Sequence, residues 1–173
     1  PANATDLDRA AEQLQKLNPQ AVILAAPTIS SAAFVQAYQR LRTGTPFYAL
    51  SWVNPTTLQE FLGPEAIRWV AVSALVPSPY NPTAAVARDF VGTLKKFRDE
   101  PPSYASMEGY LAARMLVEAL RSSSDLGPSA LRRTLESFRG DMGGMTLRLE
   151  GAGQRASRFV ELGVFSSSGK LVN

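Results

Sequence analysis

Apolar positions along the first part of the chain switch between two periods. Leu7, Ala10, Ala11, Leu14 and Leu17 recur three and four apart, the spacing of one helical face, and Thr5 stands where a cap would. Asn18-Pro19 stops that helix. Residues 21–26 then form an unbroken apolar run, short enough for a strand and of the kind buried on both faces. Pro27-Thr28-Ile29-Ser30 reads as a loop and cap, and the helical period returns in Ala33, Phe34, Ala37, Tyr38 and Leu41. Residues 46–50 predict a second strand and Ser51-Trp52-Val53 a loop. Asn54-Pro55 is the cap and first turn of a helix that carries Leu58, Phe61 and Leu62 and ends near Gly63-Pro64. Residues 69–76 predict a third strand. Strands alternating with helices imply βαβ units, right-handed crossovers and a parallel sheet.

At residues 77–82 three prolines in six positions make a stiff, extended segment, and a lobe boundary is expected there. Beyond it the pattern is helical. Thr83 caps a helix with Val86, Ala87, Phe90, Val91, Leu94 and Phe97, and Pro101-Pro102 breaks it. Ser103 or Ser106 starts the strongest helix of the chain, residues 106–120. Arg114, Glu118 and Arg121 share one narrow face of it and nearly everything else is apolar, so it should be buried on most of its circumference. Glu108 departs from that face, beside Ala112, Met115 and Ala119. It reads either as a first-turn acid favoured by the helix dipole or as an acid aimed at a ligand or an interdomain partner. Ser129 caps a shorter helix with Leu131, Leu135 and Phe138, and no strand is expected between residues 83 and 139. The tail turns to β structure. Residues 145–149 alternate, 151–153 turn, 157–165 form a longer strand, and Ser168-Gly169-Lys170 turns tightly before Leu171-Val172.

Composition removes several kinds of chemistry. With neither cysteine nor histidine, thiol nucleophiles, disulfides, Ser-His-Asp triads and the usual zinc sites are absent. No Walker or G-x-G-x-x-G sequence occurs, and Gly143-Gly144 is a poor match to a phosphate loop. No cofactor or metal is therefore expected, and an α/β enzyme is the least favoured class. The only adjacent basic pairs, Lys95-Lys96 and Arg132-Arg133, sit in helices and read as solvated faces, not as a nucleic-acid surface. No apolar run approaches the roughly 20 residues that span a bilayer. No signal peptide is visible. The chain opens at Pro1-Ala2-Asn3-Ala4, as a fragment or a processed product would.

Open parallel sheets bind ligands beyond the carboxyl ends of their strands. The first strand delivers Thr28 and Ser30 there, the second Ser51 and Trp52, and the third leads into the crossover that holds Tyr80. The hydroxyls can donate or accept, the indole offers a flat apolar wall with one donor, and the helix start at Ser30 could present N–H groups to an anion. Two plainer readings stand beside these: Ser30 as a helix cap, and Trp52 packed on the sheet edge.

Taken in order, these elements resemble the second half of the type I periplasmic solute-binding proteins of ABC importers, in the branched-chain amino acid (Leu/Ile/Val-binding) group. Asn18-Pro19-Gln20-Ala21-Val22-Ile23-Leu24 resembles that family's "pdavil" strand, and Pro77-Ser78-Pro79 its proline-bearing linker. Glu108-Gly109-Tyr110-Leu111-Ala112-Ala113 resembles its "GYDAA" helix, with Leu111 in place of the usual acid, as in a divergent branch. Residues 159–165 before Gly169 resemble its closing strand. The resemblance implies an α/β fold. A Rossmann-like, parallel-sheet lobe would span residues 1–77, crossover and helices of the other lobe 78–150, and a return to the first-named lobe 151–173. It further implies a periplasmic location, no catalysis, and capture of a small molecule between lobes by hinge closure. The implied partners are an ABC transporter membrane permease and the missing N-terminal part of the same protein. The same fold also serves as the ligand-sensing domain of receptors. In the amino-acid-binding members an acid in the loop after the second strand of this lobe takes the ligand's ammonium. The matching loop here, Ser51-Trp52-Val53, has none. An aromatic or aliphatic acid, or an amide, is thereby as plausible a ligand as an amino acid.

Overall fold

The computed structural model describes residues 7–97, 100–149 and 155–173. The Thr5 cap and the turn at 151–153 fall outside them. The chain divides into two compact units, Pro1–Ala74 with Glu161–Asn173, and Leu75–Val160.

The first unit is built from three helices, α1 (Asp8–Lys16), α2 (Thr28–Leu41) and α3 (Pro55–Ile67), and five strands, β1 (Val22–Leu24), β2 (Phe47–Ala49), β3 (Val70–Ala74), β6 (Glu161–Phe165) and β7 (Leu171–Val172). The sheet order is β1-β2-β3-β6-β7. The first three strands are parallel, as the βαβ pattern requires, and β6 and β7 add antiparallel to β3. Val35 and Tyr38 of α2, Leu58 and Ile67 of α3, and Phe47, Val70 and Val72 of the strands are fully buried together. Tyr38 meets Phe47 edge to face, centroids 5.6 Å apart. The α3 start forms as its sequence dictates: the Asn54 side chain accepts from the Thr56 and Thr57 N–H groups, and Pro55 takes the first helical position. Gly63 adopts φ 69°, which breaks the helix at the expected place before Pro64 begins one further turn.

Two expectations for this unit are corrected. The β1 run was expected to be buried on both faces. Val22 and Leu24 are buried, but Ile23 between them is 70% exposed. Among the described residues the helices of this unit lie on one face of the sheet, for a topological reason: successive right-handed crossovers that step in one direction place their helices on the same side. Ser30 is not a cap. The helix already starts at Thr28, and no side chain caps α2.

The second unit holds α4 (Ala85–Phe97), α5 (Tyr104–Ser122), α6 (Pro128–Glu136) and an antiparallel hairpin of β4 (Arg139–Asp141) and β5 (Thr146–Arg148). Both serine candidates start α5: Ser103 is its cap, and Ser106 answers from the third position in a reciprocal capping box. No strand is predicted at β4 because Arg139-Gly140-Asp141 has no apolar alternation; pairing with Thr146–Arg148 makes it a strand. Gly127 and Pro128, not Ser129, open α6. The α5 expectation is also corrected. Only Tyr104, Met107, Leu111 and Ala119 are buried, while Leu116 and Val117 are exposed. Two helices and a hairpin of three-residue strands cover one stripe of a nineteen-residue helix and no more. The tail strand is shorter than expected, starting at Glu161.

The α3 cap gives a direct test of this local reading. Asn54→Ala should cost about 1 kcal/mol in urea-unfolding free energy. An unchanged midpoint would mean that the cap contributes nothing to the unit.

Candidate ligand-binding rim

Parallel pairing aligns the carboxyl ends of β1 and β2, with Leu24 opposite Ala49. The loops that follow are therefore neighbours, and three hydrogen bonds organise them. The Ala26 carbonyl accepts from the Ser31 hydroxyl at 3.0 Å and from the Trp52 indole Nε1–H at 3.2 Å. The Thr28 Oγ1 accepts from the Asn54 backbone N–H at 3.0 Å. Trp52 is thus tethered by its single donor while the residue stays 61% exposed. It is not packed away on the sheet edge.

Thr28 and Ser30 occupy the first and third positions of α2. The earliest helical bond recorded there runs from the Ser31 N–H to the Pro27 carbonyl, at 2.8 Å. With no side-chain cap, the N–H groups ahead of it remain available. Helical Cβ atoms tilt toward the N-terminus, and the Ser30 hydroxyl is buried with no hydrogen-bond partner among the described residues. Ser51 sits half-buried in the turn before Trp52. Across residues 26–30 and 51–54 there is no acidic or basic side chain. The rim offers hydroxyls, helix N–H groups and one indole face. The Ala26 carbonyl and Asn54 N–H that hold it together are backbone groups, and residue type gives no signal of them.

The other two sequence candidates lie in the second unit. The Tyr80 ring packs edge to face on buried Tyr104, centroids 5.3 Å apart. Glu108 lines an open groove of 1050 Å³ whose walls include Leu111, Met115, Met145, Leu147 and Phe159. Its carboxyl is raised above the ordinary 4.5 by desolvation. A first-turn acid beside a helix dipole would be pulled the other way. The dipole reading of Glu108 fails for a simple reason: α5 begins at Tyr104, so Glu108 stands beyond its first turn.

The Gly143-Gly144 loop turns its backbone inward on Asp141. Its two N–H groups already donate to Asp141 Oδ1, at 2.7 and 3.0 Å, and the bonds from Gly144 and Gly143 hold that carboxyl below its ordinary range. Among the described residues no cluster of three or more acids could hold a metal ion, and no helix is long and apolar enough to cross a membrane.

Comparison with known proteins agrees with this architecture. No curated protein matches the sequence. An extracellular ligand-binding receptor from Verminephrobacter eiseniae is 28% identical with a TM-score of 0.86, over 96% of this chain and 48% of that one. A substrate-binding periplasmic protein from Ralstonia solanacearum is 26% identical with a TM-score of 0.84, over 99% and 50%. A possible leucine/isoleucine/valine-binding protein from Rhodopirellula baltica shares the fold at 21% identity, with a TM-score of 0.87 over 99% and 48%. The chain thus spans about half the length of the solved relatives it matches, consistent with their C-terminal half. The model of the periplasmic binding protein family matches residues 1–169, and the chain belongs to that family, with the α/β lobe fold of its type I members.

Proposed function

We propose that this chain contributes one side of a ligand cleft in an extracytoplasmic solute-binding protein of an ABC importer. Residues Thr28, Ser30, Ser51 and Trp52 would face the ligand, and Tyr80 would stand in the crossover. The observation that carries the reading is Trp52. Its only donor is used on the Ala26 carbonyl, yet the residue stays exposed at the carboxyl ends of parallel strands, where such sheets take ligands. A tethered indole costs little further entropy when a ligand covers it. Hinge closure of a second lobe over this rim would complete the site. A permease is the partner the family implies. The ligand-binding receptor among the relatives supports a second reading as a sensor. A transmembrane helix with a signalling module in the complete polypeptide would decide for it.

The rim chemistry bears on ligand class. A zwitterionic amino acid needs an anion for its ammonium group, and the rim holds no carboxylate. Free helix N–H groups and hydroxyls favour an acceptor, and the indole favours a flat or aliphatic body. An aromatic or aliphatic carboxylate, or an amide, meets both demands from this side. The groove beside Glu108 is read differently, as an apolar surface that the rest of a complete lobe would cover. Domain limits near residues 77 and 150 belong to the same reading.

Three outcomes test it. Calorimetric titration of the complete polypeptide with leucine, phenylacetate and benzamide should identify a binder among the last two. Trp52→Ala should then weaken it at least tenfold, about 1.4 kcal/mol, with Ser51→Ala weaker in effect. Unchanged affinity in both folded variants would move the site off this rim. Glu108→Gln should leave affinity unchanged. The raised carboxyl contributes stability that is fully present below pH 4.5 and is lost as pH rises through its folded value. The glutamine variant should therefore be no less stable than the parent at pH 7, with its relative advantage shrinking as pH falls through the folded value toward 4.5 and gone below it. A variant less stable at pH 7 would restore a favourable role for the charge. Finally, the 173-residue chain alone should self-associate in light scattering through the α5 groove. A monodisperse, highly stable monomer would contradict the reading of this chain as half of a two-lobed binder.

A further inference from the structure

The loop that carries Trp52 is held through its backbone on both sides of the ring. Val53 is 1% exposed, and its N–H donates to the Leu50 carbonyl at 2.9 Å. The Leu50 N–H reaches the Leu24 carbonyl at 3.4 Å, and the Asn54 N–H donates to Thr28 Oγ1. The course of the loop is therefore settled without the indole. What these bonds leave open is the direction of the ring, which turns about two side-chain bonds. One hydrogen bond addresses it, from Nε1 to the Ala26 carbonyl at 3.2 Å.

That carbonyl needs a support of its own. It belongs to the peptide joining Ala26 to Pro27, and proline has no N–H. A peptide plane is ordinarily held by its donor and its acceptor; this one offers the acceptor alone. Two donors reach it, and they are unlike. The Ser31 hydroxyl, at 3.0 Å, comes from a residue with no exposed surface. The same residue's N–H makes the first helical bond of α2, to the Pro27 carbonyl at 2.8 Å. The indole comes from a residue 61% exposed. The enclosed donor sets the shared acceptor and the solvated one follows, because the solvated side chain is the one that gives up rotamer freedom by bonding.

We propose that Ser31 is a positioning residue of the rim: its hydroxyl sets the Ala26 carbonyl, and that carbonyl sets the face that Trp52 turns to a ligand. Ser31 has no exposed surface and touches no solute itself. Through it α2, locked to the sheet by buried Val35 and by Tyr38 on Phe47, becomes the reference for the ring. The bearing on solute binding rests on the reading of this rim as a ligand site; the bearing on the ring does not. A serine that merely satisfied a buried carbonyl would lower stability on removal and leave the ring where it is.

The first measurement is the proton–nitrogen resonance of the Trp52 indole in the complete polypeptide without solute, assigned by its loss in Trp52→Phe. Ser31→Ala should move the Nε1 proton upfield, toward free indole, and raise its exchange with water roughly fivefold, the size of one ordinary hydrogen bond. Ser31→Cys, whose thiol is a weak donor, should fall between parent and alanine. An unmoved or downfield-shifted indole proton in the folded Ser31→Ala variant would overturn the proposal. So would a Ser31→Cys resonance displaced further than the alanine one.

The second measurement uses phenylacetate or benzamide, whichever binds, as the probe. Ser31→Ala should weaken binding by a similar factor, roughly fivefold, and should have no further effect in a Trp52→Ala background, since a residue that acts through another loses its influence once the second is gone. Equal losses in both backgrounds would overturn the proposal, because Ser31 would then act by another route. If neither solute binds, the function proposed above fails, and the indole resonance still decides the role of Ser31.

Discussion

The parallel register of β1 on β2 is the constraint on which the candidate chemistry depends. Leu24 opposite Ala49 brings two loops, separated by a fourteen-residue helix in the chain, to one rim. The bonds from Trp52 to the Ala26 carbonyl and from Asn54 N–H to Thr28 then need only short reaches. A slip of one residue would turn Phe47 and Ala49 outward and Tyr48 into the core. The fully buried contact between Phe47 and Tyr38 opposes that slip. Core packing under the sheet and the geometry of the candidate rim at its end are therefore one problem.

At the rim, backbone groups position the candidate side chains. Ala26 contributes only its carbonyl, yet it holds both Ser31 and Trp52. The indole is left with no unsatisfied donor and an open ring. Asn54 serves twice: its N–H ties α3 to Thr28, and its side chain caps the same helix. A substitution at Asn54 would thus disturb the rim through the helix start.

The alternation of periods in the sequence made the βαβ order, the α3 cap, the break at Gly63 and the closing hairpin at Gly169 legible, because each rests on local chemistry. Of the candidate residues, Thr28, Ser30, Ser51 and Trp52 were reachable from the strand-end rule alone. What stayed hidden depends on pairing or on the exact first turn of a helix. β4 is a strand only because β5 is beside it. Glu108 changed its meaning because the Ser103 cap starts α5 at Tyr104. Partial burial then raises its carboxyl, a result that no wheel drawn on residues 106–120 contains.

The misreading of β1 carries information of its own. Residues 21–26 are apolar without interruption, and alternation is what one-sided burial would have selected. The structure buries Val22 and Leu24 and leaves Ile23 in water. Each part is sound. The composition records the surroundings in which the strand works, and the packing records what this stretch of chain supplies by itself. Their difference falls on one face. Exposing Ile23, Tyr48, Leu162 and Val164 together forgoes roughly 25 cal/mol for each Å² of apolar surface left in water. A sheet selected to stand bare on that face would carry threonine, lysine or glutamate at the same positions at no cost to the buried row beneath.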